Sequence, residues 1–409
     1  MLEDYKSGTA AMSRANFGNN MRGSVAIAGA GLGGLTAALA LLRRGWKVRV
    51  YEQAPVLTEV GAGISLSSGA GRGLASLGIE AELLSASLPV PAVAFAHYRT
   101  GALLAGQFDR GTPPDRGFET PRHIHRADLH AILLDAVRKA DPNAVLTGKR
   151  LVRAEHDGSG VGARFEDGSE ARADLLVAAD GTRSAVRRQW FDDSLPQFAG
   201  QVAFRCLVPR ALAEPFITAG NAVVSVGPAR VFHRYAIRGG ALINVVGIAQ
   251  SDSWRGEGWT NSATTDEFLA LYHDFHPDVV ELIKRAPGES LIKWALFVRP
   301  PIAQWSLGRI VLLGDAAHPI LPFLGLGAAL AIEDGVVLAR ALDGTGNIET
   351  ALGAYQAARV ARVENVRVQT IRQGEIIQAS NPDQDDVSHS PSQNTALFDY
   401  DPCTVPVHV

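Results

Sequence analysis

The chain has 409 residues, is 46% hydrophobic and 20% charged, and carries a formal net charge of −3. That length passes the roughly 250 residues at which single cores divide, so two structural units are expected; the charge balance offers no basic field for nucleic acid, and no apolar run reaches the ~18 residues of a membrane span. The two cysteines, Cys206 and Cys403, lie outside any CxxC, which reads as a reduced cytoplasmic protein.

Residues 1–22 are polar, with Glu3, Asp4, Lys6, Arg14 and Arg22 and no apolar centre. They read as a disordered extension, or as an upstream start with Met21 the natural first residue, and not as a signal peptide. Residues 25–28 form a short apolar run typical of a buried strand. Then come Gly29-Ala30-Gly31-Leu32-Gly33-Gly34, an Ala/Leu-rich helix over 35–44 and a second strand over 47–52. This βαβ unit is the setting a dinucleotide fingerprint requires. Gly29 permits the tight turn, Gly31 lets backbone approach a pyrophosphate, and Gly34 lets the helix pack closely on the sheet. The helix N-terminus offers N–H groups and partial positive charge to the diphosphate. Glu52, ending the second strand, can accept hydrogen bonds from the adenosine ribose. Gly33 and Leu35 complete the candidate cofactor-binding group here.

Further on, an amphipathic helix is expected over 126–140. Apolar strands over 175–179 and 310–313 each end at a Gly/Asp turn: Asp180-Gly181-Thr182-Arg183-Ser184-Ala185-Val186-Arg187 and Gly314-Asp315-Ala316-Ala317-His318-Pro319. From about 201 to 297, strand-like runs at 222–226, 231–237 and 241–248 alternate with turns, Arg238-Gly239-Gly240 being the plainest hairpin. A sheet-rich unit is thus inserted between pieces of the nucleotide domain. Helices are expected over 327–342 and 352–379, and 380–396, rich in Ser, Asp, Asn, Gln and Pro, reads as loose.

The motifs GxGxxG, DGxxSxVR and GDAAHP, in this order, resemble those of the single-component FAD-dependent aromatic hydroxylases, most closely the salicylate, 3-hydroxybenzoate and 6-hydroxynicotinate monooxygenases. Gly61-Ala62-Gly63-Ile64, His125-Arg126-Ala127-Asp128-Leu129-His130, Tyr235-Ala236-Ile237-Arg238-Gly239-Gly240 and Pro322-Phe323-Leu324-Gly325-Leu326-Gly327-Ala328 support the likeness over about 24–378. The resemblance implies an α/β fold with a long C-terminal helix. Its Rossmann-like FAD-binding domain would span 23–92, 121–195 and 296–380, and an inserted mixed β-sheet substrate domain 93–120 and 196–295, leaving 381–409 as a flexible tail. It also implies FAD as cofactor, NADH or NADPH as co-substrate, no metal, and a monomer or homodimer. The reaction would insert one oxygen atom from O₂, through a flavin C4a-hydroperoxide, into a small hydroxylated aromatic or heteroaromatic acid. Two alternatives stay open: oxygenation of a larger natural-product phenol or quinone, and a non-oxygenating flavin reductase or oxidase.

The resemblance carries roles residue by residue. Arg126 would reach FAD near its diphosphate, Asp315 its ribityl or ribose part, and Asp180 would organise a turn near the cofactor. Arg187 is implicated with NAD(P)H. Pro322, Gly325, Gly327 and Ala328 would lie against the flavin ring, where the helix opening at Gly327 presents N–H donors to negative charge. His318 reads as structural.

The chain also departs from its relatives. Aligned on Phe204-Arg205, Gly200 and Phe204 stand where the hydroxybenzoate and hydroxynicotinate branch has a His and a Tyr. Leu326 replaces a frequent Gln, and Ser68-Gly69-Ala70 replaces Pro-Asn-Ala. His233 and Tyr235, on one strand face by alternation, are the candidate catalytic groups, together with Arg205 and Pro322. Arg205 and Arg234 could pair a substrate carboxylate.

Overall fold

The computed structural model describes residues 22–57, 61–90, 93–104, 115–217, 222–254, 261–378 and 395–409. The expectations for 1–21 and for 380–394 lie outside the described residues.

The first sheet has six strands in the order Ser306–Leu307, Ile310–Leu312, Leu175–Ala178, Ser24–Ala28, Lys47–Tyr51, Val145–Leu146. Its neighbours run parallel except for the Ser306–Leu307 hairpin. A parallel sheet is covered on both faces, so its strands are continuous apolar runs; Ile27, Leu175, Val177, Ile310 and Leu312 are all buried. The helix after the glycines spans Leu32–Leu42 and starts at the fingerprint itself, with Gly31 as N-cap, not at residue 35. The long last helix, Ile348–Ile377, begins where the Asn347 side chain accepts from the Thr350 N–H, four residues ahead of the apolar run that suggested it.

The second sheet has seven strands: Asn261–Ser262, Ile292–Val298, Gln197–Pro209, Leu242–Gln250, Arg230–Ile237, Ala222–Gly227 and Ala94–His97. Two helices that periodicity did not reveal, Thr265–Tyr272 and Pro277–Lys284, close one face. The first opens with a capping box between Thr264 and Glu267, the second with Pro277 at its first turn, both ordinary start signals. Phe204 points into this layer and stacks on Phe268, ring centroids 5.0 Å apart. The opposite sheet face covers the carboxyl ends of the parallel strands. Asp128 and Arg238 clamp the two units together at 2.6 Å, and the Gly63 N–H donates to Asn244 Oδ1 at 2.8 Å.

The expectation of a flexible tail fails for its last part. Residues 395–409 are packed on the nucleotide domain: Leu397 is buried, and Arg340 donates to the Pro402 carbonyl at 2.8 Å. The reason is a set of fixed basic partners on three helices, which composition does not reveal.

The fingerprint glycines take distinct tasks in the fold. A Cβ on Gly34 would sit 2.0 Å from the Gly29 carbonyl oxygen, whereas a Cβ on Gly31 would meet nothing within 4 Å. Gly34→Ala should therefore destabilise the FAD-free protein by ~3 kcal/mol or more. Gly31→Ala should leave its thermal midpoint unchanged. Calorimetry of the two apoproteins checks the contrast.

Candidate active site

Three neighbouring parallel strands end at one place. Ser24–Ala28 runs into the glycine loop, Leu175–Ala178 into Ala179–Gly181, and Ile310–Leu312 into Leu313–Asp315. Ligands of open parallel sheets collect at such carboxyl ends. Here they border a cavity of about 1140 Å³ that continues under the second sheet. A shallower hollow of about 720 Å³ at the opposite ends of the strands is lined by Arg22, Asp174 and Asp343. Those groups already have partners, Asp343 with Arg22 and Asp174 with Ser24.

Of the expected cofactor-binding residues, Gly31, Gly33, Gly34, Arg126, Asp315, Gly325, Gly327 and Ala328 line the large cavity. Gly29 sits behind it with φ 102°, making the turn. The Asp315 side chain is exposed on the cavity at the floor of a cleft lined by protein. Desolvation there pushes its pKa up, against the pull of His318 and Arg126. Burial likewise lowers the Arg126 pKa, and the Arg205 cation adds to that. Gly325 takes a left-handed conformation, φ 67°, and closes the turn before the helix Gly327–Gly344.

Other expectations need correction. Leu35 is fully buried and belongs to the core. Glu52 braces the glycine loop: Oε2 accepts from the Ala30 N–H at 2.8 Å and Oε1 from Ala54 at 2.9 Å. Second lone pairs remain on both oxygens. Asp180 does not line the cavity, although Ala179 and Gly181 do. Its Oδ2 accepts from Ala185 at 2.8 Å and starts the helix Ala185–Trp190, while Oδ1 is buried without a partner. Arg187 is the clearest reversal. It is wholly buried, and it donates to the carbonyls of Ala316, Ala317 and Pro300 and to Asp192. A guanidinium so engaged holds the turn at 314–317 in place and cannot meet a diffusing NAD(P)H.

On the second sheet, His233 and Tyr235 both face the cavity, as alternation requires, and so does Arg205. Arg234 faces the other way, with Asp278 as the anion acting on it. The Arg205 guanidinium lies 4.9 Å from the Trp294 ring, and its Nε is buried without a hydrogen bond. Among the described residues it has no carboxylate partner. Burial lowers its pKa. Pro322 begins a 3-10 turn against the cavity. Around these groups the wall is apolar: Phe95, Val224, Val231, Val246, Ile248 and Phe323.

Two participants were missed. His123 lines the cavity and lies 4.1 Å from the Tyr235 ring, with His233 4.8 Å from Tyr235 on the next strand position but one. The alternation His123, His125 in an apolar strand was the available signal. His130, the last residue of the His125–His130 motif, bonds the Ala30 carbonyl at 2.8 Å and fixes the glycine loop from the side.

The residues fit FAD. Backbone at Gly31 opens on the cavity, two helix N-termini face it, and Asp315 and Arg126 stand along it. The chain belongs to the family defined by the FAD binding domain, whose model matches residues 22–370. It is an FAD-dependent monooxygenase. It is 35% identical over 350 residues to 6-hydroxynicotinate 3-monooxygenase of Pseudomonas fluorescens, covering 84% of this chain and 89% of that protein. It is 34% identical over 358 residues to 3-hydroxybenzoate 6-hydroxylase of Polaromonas naphthalenivorans, covering 87% and 88%. Among solved structures, Klebsiella pneumoniae HpxO complexed with FAD and uric acid superposes with a TM-score of 0.80 at 26% identity, over 92% of this chain and 96% of that one.

Burial, and next the Arg234 cation, push His233 down to about 4, and burial with His233 pushes His123 down to about 3. Both are neutral at pH 7. Unfolded, each would bind a proton near its ordinary value of 6.5. The unfolded state thus holds more protons below that pH, and stability is lost as pH falls from about 6.5 toward about 4. His233→Gln should flatten that loss, read as the thermal midpoint of the apoprotein across the same pH range.

Proposed function

We propose that this enzyme hydroxylates a small aromatic or heteroaromatic acid, using NAD(P)H and O₂. The observation that carries the reading is Arg205, a half-buried cation facing the cavity, whose Nε is buried without a hydrogen bond and which has no carboxylate partner among the described residues. An unpaired cation with a buried donor is costly, so a site that keeps one is built for an anion. The relatives named for hydroxynicotinate and hydroxybenzoate act on ring carboxylates. The apolar wall around Arg205 suits the ring itself.

The chemistry supplied by FAD when bound is acceptance of hydride from NAD(P)H and activation of O₂. The chain's own residues do the rest. With FAD bound, Gly31 and the helix starting at Leu32 would receive the diphosphate, Asp315 and the remaining lone pairs of Glu52 would accept from sugar hydroxyls, and Arg126 would supply a cation along the cofactor. The N–H groups opening at Gly327 face negative charge on the ring. Val224, Val231, Val246 and Ile248 keep water from the reacting ring, which guards against wasteful loss of the activated oxygen. His233, neutral and with an unpartnered Nε2, is the acceptor nearest to hand for a substrate hydroxyl proton. Tyr235, its pKa pushed up to about 12 by burial, stays a donor. Both cysteines are free thiols, which suits the cytoplasm.

The decisive assay offers the yellow enzyme hydroxybenzoates, hydroxypyridine carboxylates and bicyclic phenols, and reads NAD(P)H consumption with product mass. A carboxylate that raises consumption and gains one oxygen atom is the expected result. Stimulation only by larger, uncharged phenols would overturn the assignment of an acid substrate. Asp315→Ala should give a folded protein that purifies pale, checked by the ratio of flavin to protein absorbance. Arg205→Ala should raise KM for the acid roughly 10- to 100-fold, one charge-assisted hydrogen bond of ~1.5–3 kcal/mol. It should leave KM for the decarboxylated analogue unchanged, as steady-state kinetics will show.

A further inference from the structure

The large cavity has a wall that comes from beyond the residues matched by the family model. The family match ends at residue 370, yet Phe398 and Asp399 line the cavity beside Ser67, Ser68 and Glu119. We propose that residues 395–409 form a strap that completes the FAD cavity, with Phe398 and Asp399 in its wall and Tyr400 as the anchor that positions them.

Three independent features carry this. The first is the anchor. The Tyr400 ring lies between two guanidinium groups of the last long helix, 4.8 Å from Arg359 and 4.9 Å from Arg362. Cations over a ring face are attracted by its quadrupole. Around it, Arg72 donates to the Asp401 carboxylate at 3.1 Å and to the Asp399 carbonyl at 3.2 Å.

The second is a fitted seat. The helix Ser68–Ala75, whose first turn lines the cavity, passes directly under the strap. A Cβ on Gly69 would lie 1.6 Å from the Tyr400 carbonyl oxygen, an overlap with backbone that no rotamer relieves.

The third is a connection to the cofactor turn. Arg359, under Tyr400, donates through Nε to Asp334 Oδ1 at 2.7 Å, and Asp334 Oδ2 accepts from the Gly314 N–H at 2.9 Å. The strap and the Gly314-Asp315 turn thus share one buried support.

The inference rests on the FAD site and not on the identity of the substrate. Its consequence is that the docked strap slows FAD loss and keeps water from one edge of the flavin site. The test uses full-length Gly69→Asn, Tyr400→Ala, Tyr400→Phe and Phe398→Ala. FAD affinity is read by quenching of flavin fluorescence on titrating apoprotein, strap docking by amide hydrogen exchange across 395–409, and leakage by peroxide formed per NAD(P)H consumed. Gly69→Asn and Tyr400→Ala should release the strap and raise the FAD Kd roughly 3- to 10-fold, the equivalent of one to two cation–ring contacts. Tyr400→Phe keeps the ring and should match the wild type in all three readings. Phe398→Ala should leave the strap docked but raise peroxide yield. A released strap with unchanged FAD Kd and peroxide yield would overturn the proposal, as would a strap that stays docked in Gly69→Asn and Tyr400→Ala. Failure of every aromatic acid in the wild-type assay would sink the substrate reading and leave this one standing.

Discussion

Asp334 is a fully buried carboxylate, and the site depends on its staying charged. Burial would push its pKa up; His318 and Arg359 more than offset that and hold it at about 2. His318 Nε2 meets Oδ2 at 2.6 Å, and Arg359 passes on to Glu333 at 2.8 Å, which Arg362 also reaches at 3.1 Å. Buried ion clusters add little net stability over an apolar replacement, but losing one member costs ~3–5 kcal/mol, because the remaining charge is stranded. The worth of this cluster is therefore positional. It ties the Gly314 N–H to two long helices, so the strand Ile310–Leu312 cannot end without presenting Asp315 to the cavity. Arg187 secures the same turn from the other side through the carbonyls of Ala316 and Ala317.

With that turn fixed, the second sheet decides what shares the cavity. Its strands have two faces, and the faces have opposite chemistry. Phe204, Phe232 and Phe268 fill the layer under the two short helices. Arg205, His233 and Tyr235 look the other way, among valines and isoleucines. Two cations, Arg126 and Arg205, face the cavity; burial lowers the pKa of both, and Arg205 adds a smaller lowering at Arg126. The imidazoles next to them are neutral, which avoids piling further positive charge into a dry site. Two cations among neutral imidazoles give the cavity an electrostatic preference for anions.

Much of this was legible in the sequence where the constraint was local. The spacing of Gly29, Gly31 and Gly34 encodes three backbone tasks, and the fold shows two of them, the turn at Gly29 and the close approach at Gly34. Strand parity placed His233 with Tyr235. What stayed hidden was set by distant partners. Nothing near Arg187 in the chain announces three carbonyl acceptors more than a hundred residues away, so a resemblance assigned it to NAD(P)H. Arg234 was put beside Arg205 because its strand face was not tested by parity: residues 233 and 234 must oppose each other. The end of the chain looked loose because polar composition says nothing of the arginines waiting on other helices.

The departures from related hydroxylases become intelligible once faces are known. Phe204 is no blank in the active site. It is a core residue of the inserted unit, and a tyrosine there would put its hydroxyl into the Phe268 layer instead of the cavity. The polar work has moved to rings that do face inward. The Tyr235 ring packs, tilted, against His123 at 4.1 Å and His233 at 4.8 Å; His233 shares its strand in the seven-stranded sheet, and His123 belongs to a three-stranded sheet of Gly63–Leu66, Arg122–His125 and Ser87–Pro89. Asp128 and Arg238 tie the helix that follows the His123 strand to the end of the strand that carries Tyr235. The groups that line the cavity thus come from the junction between the two units, and their arrangement cannot be read from either unit alone.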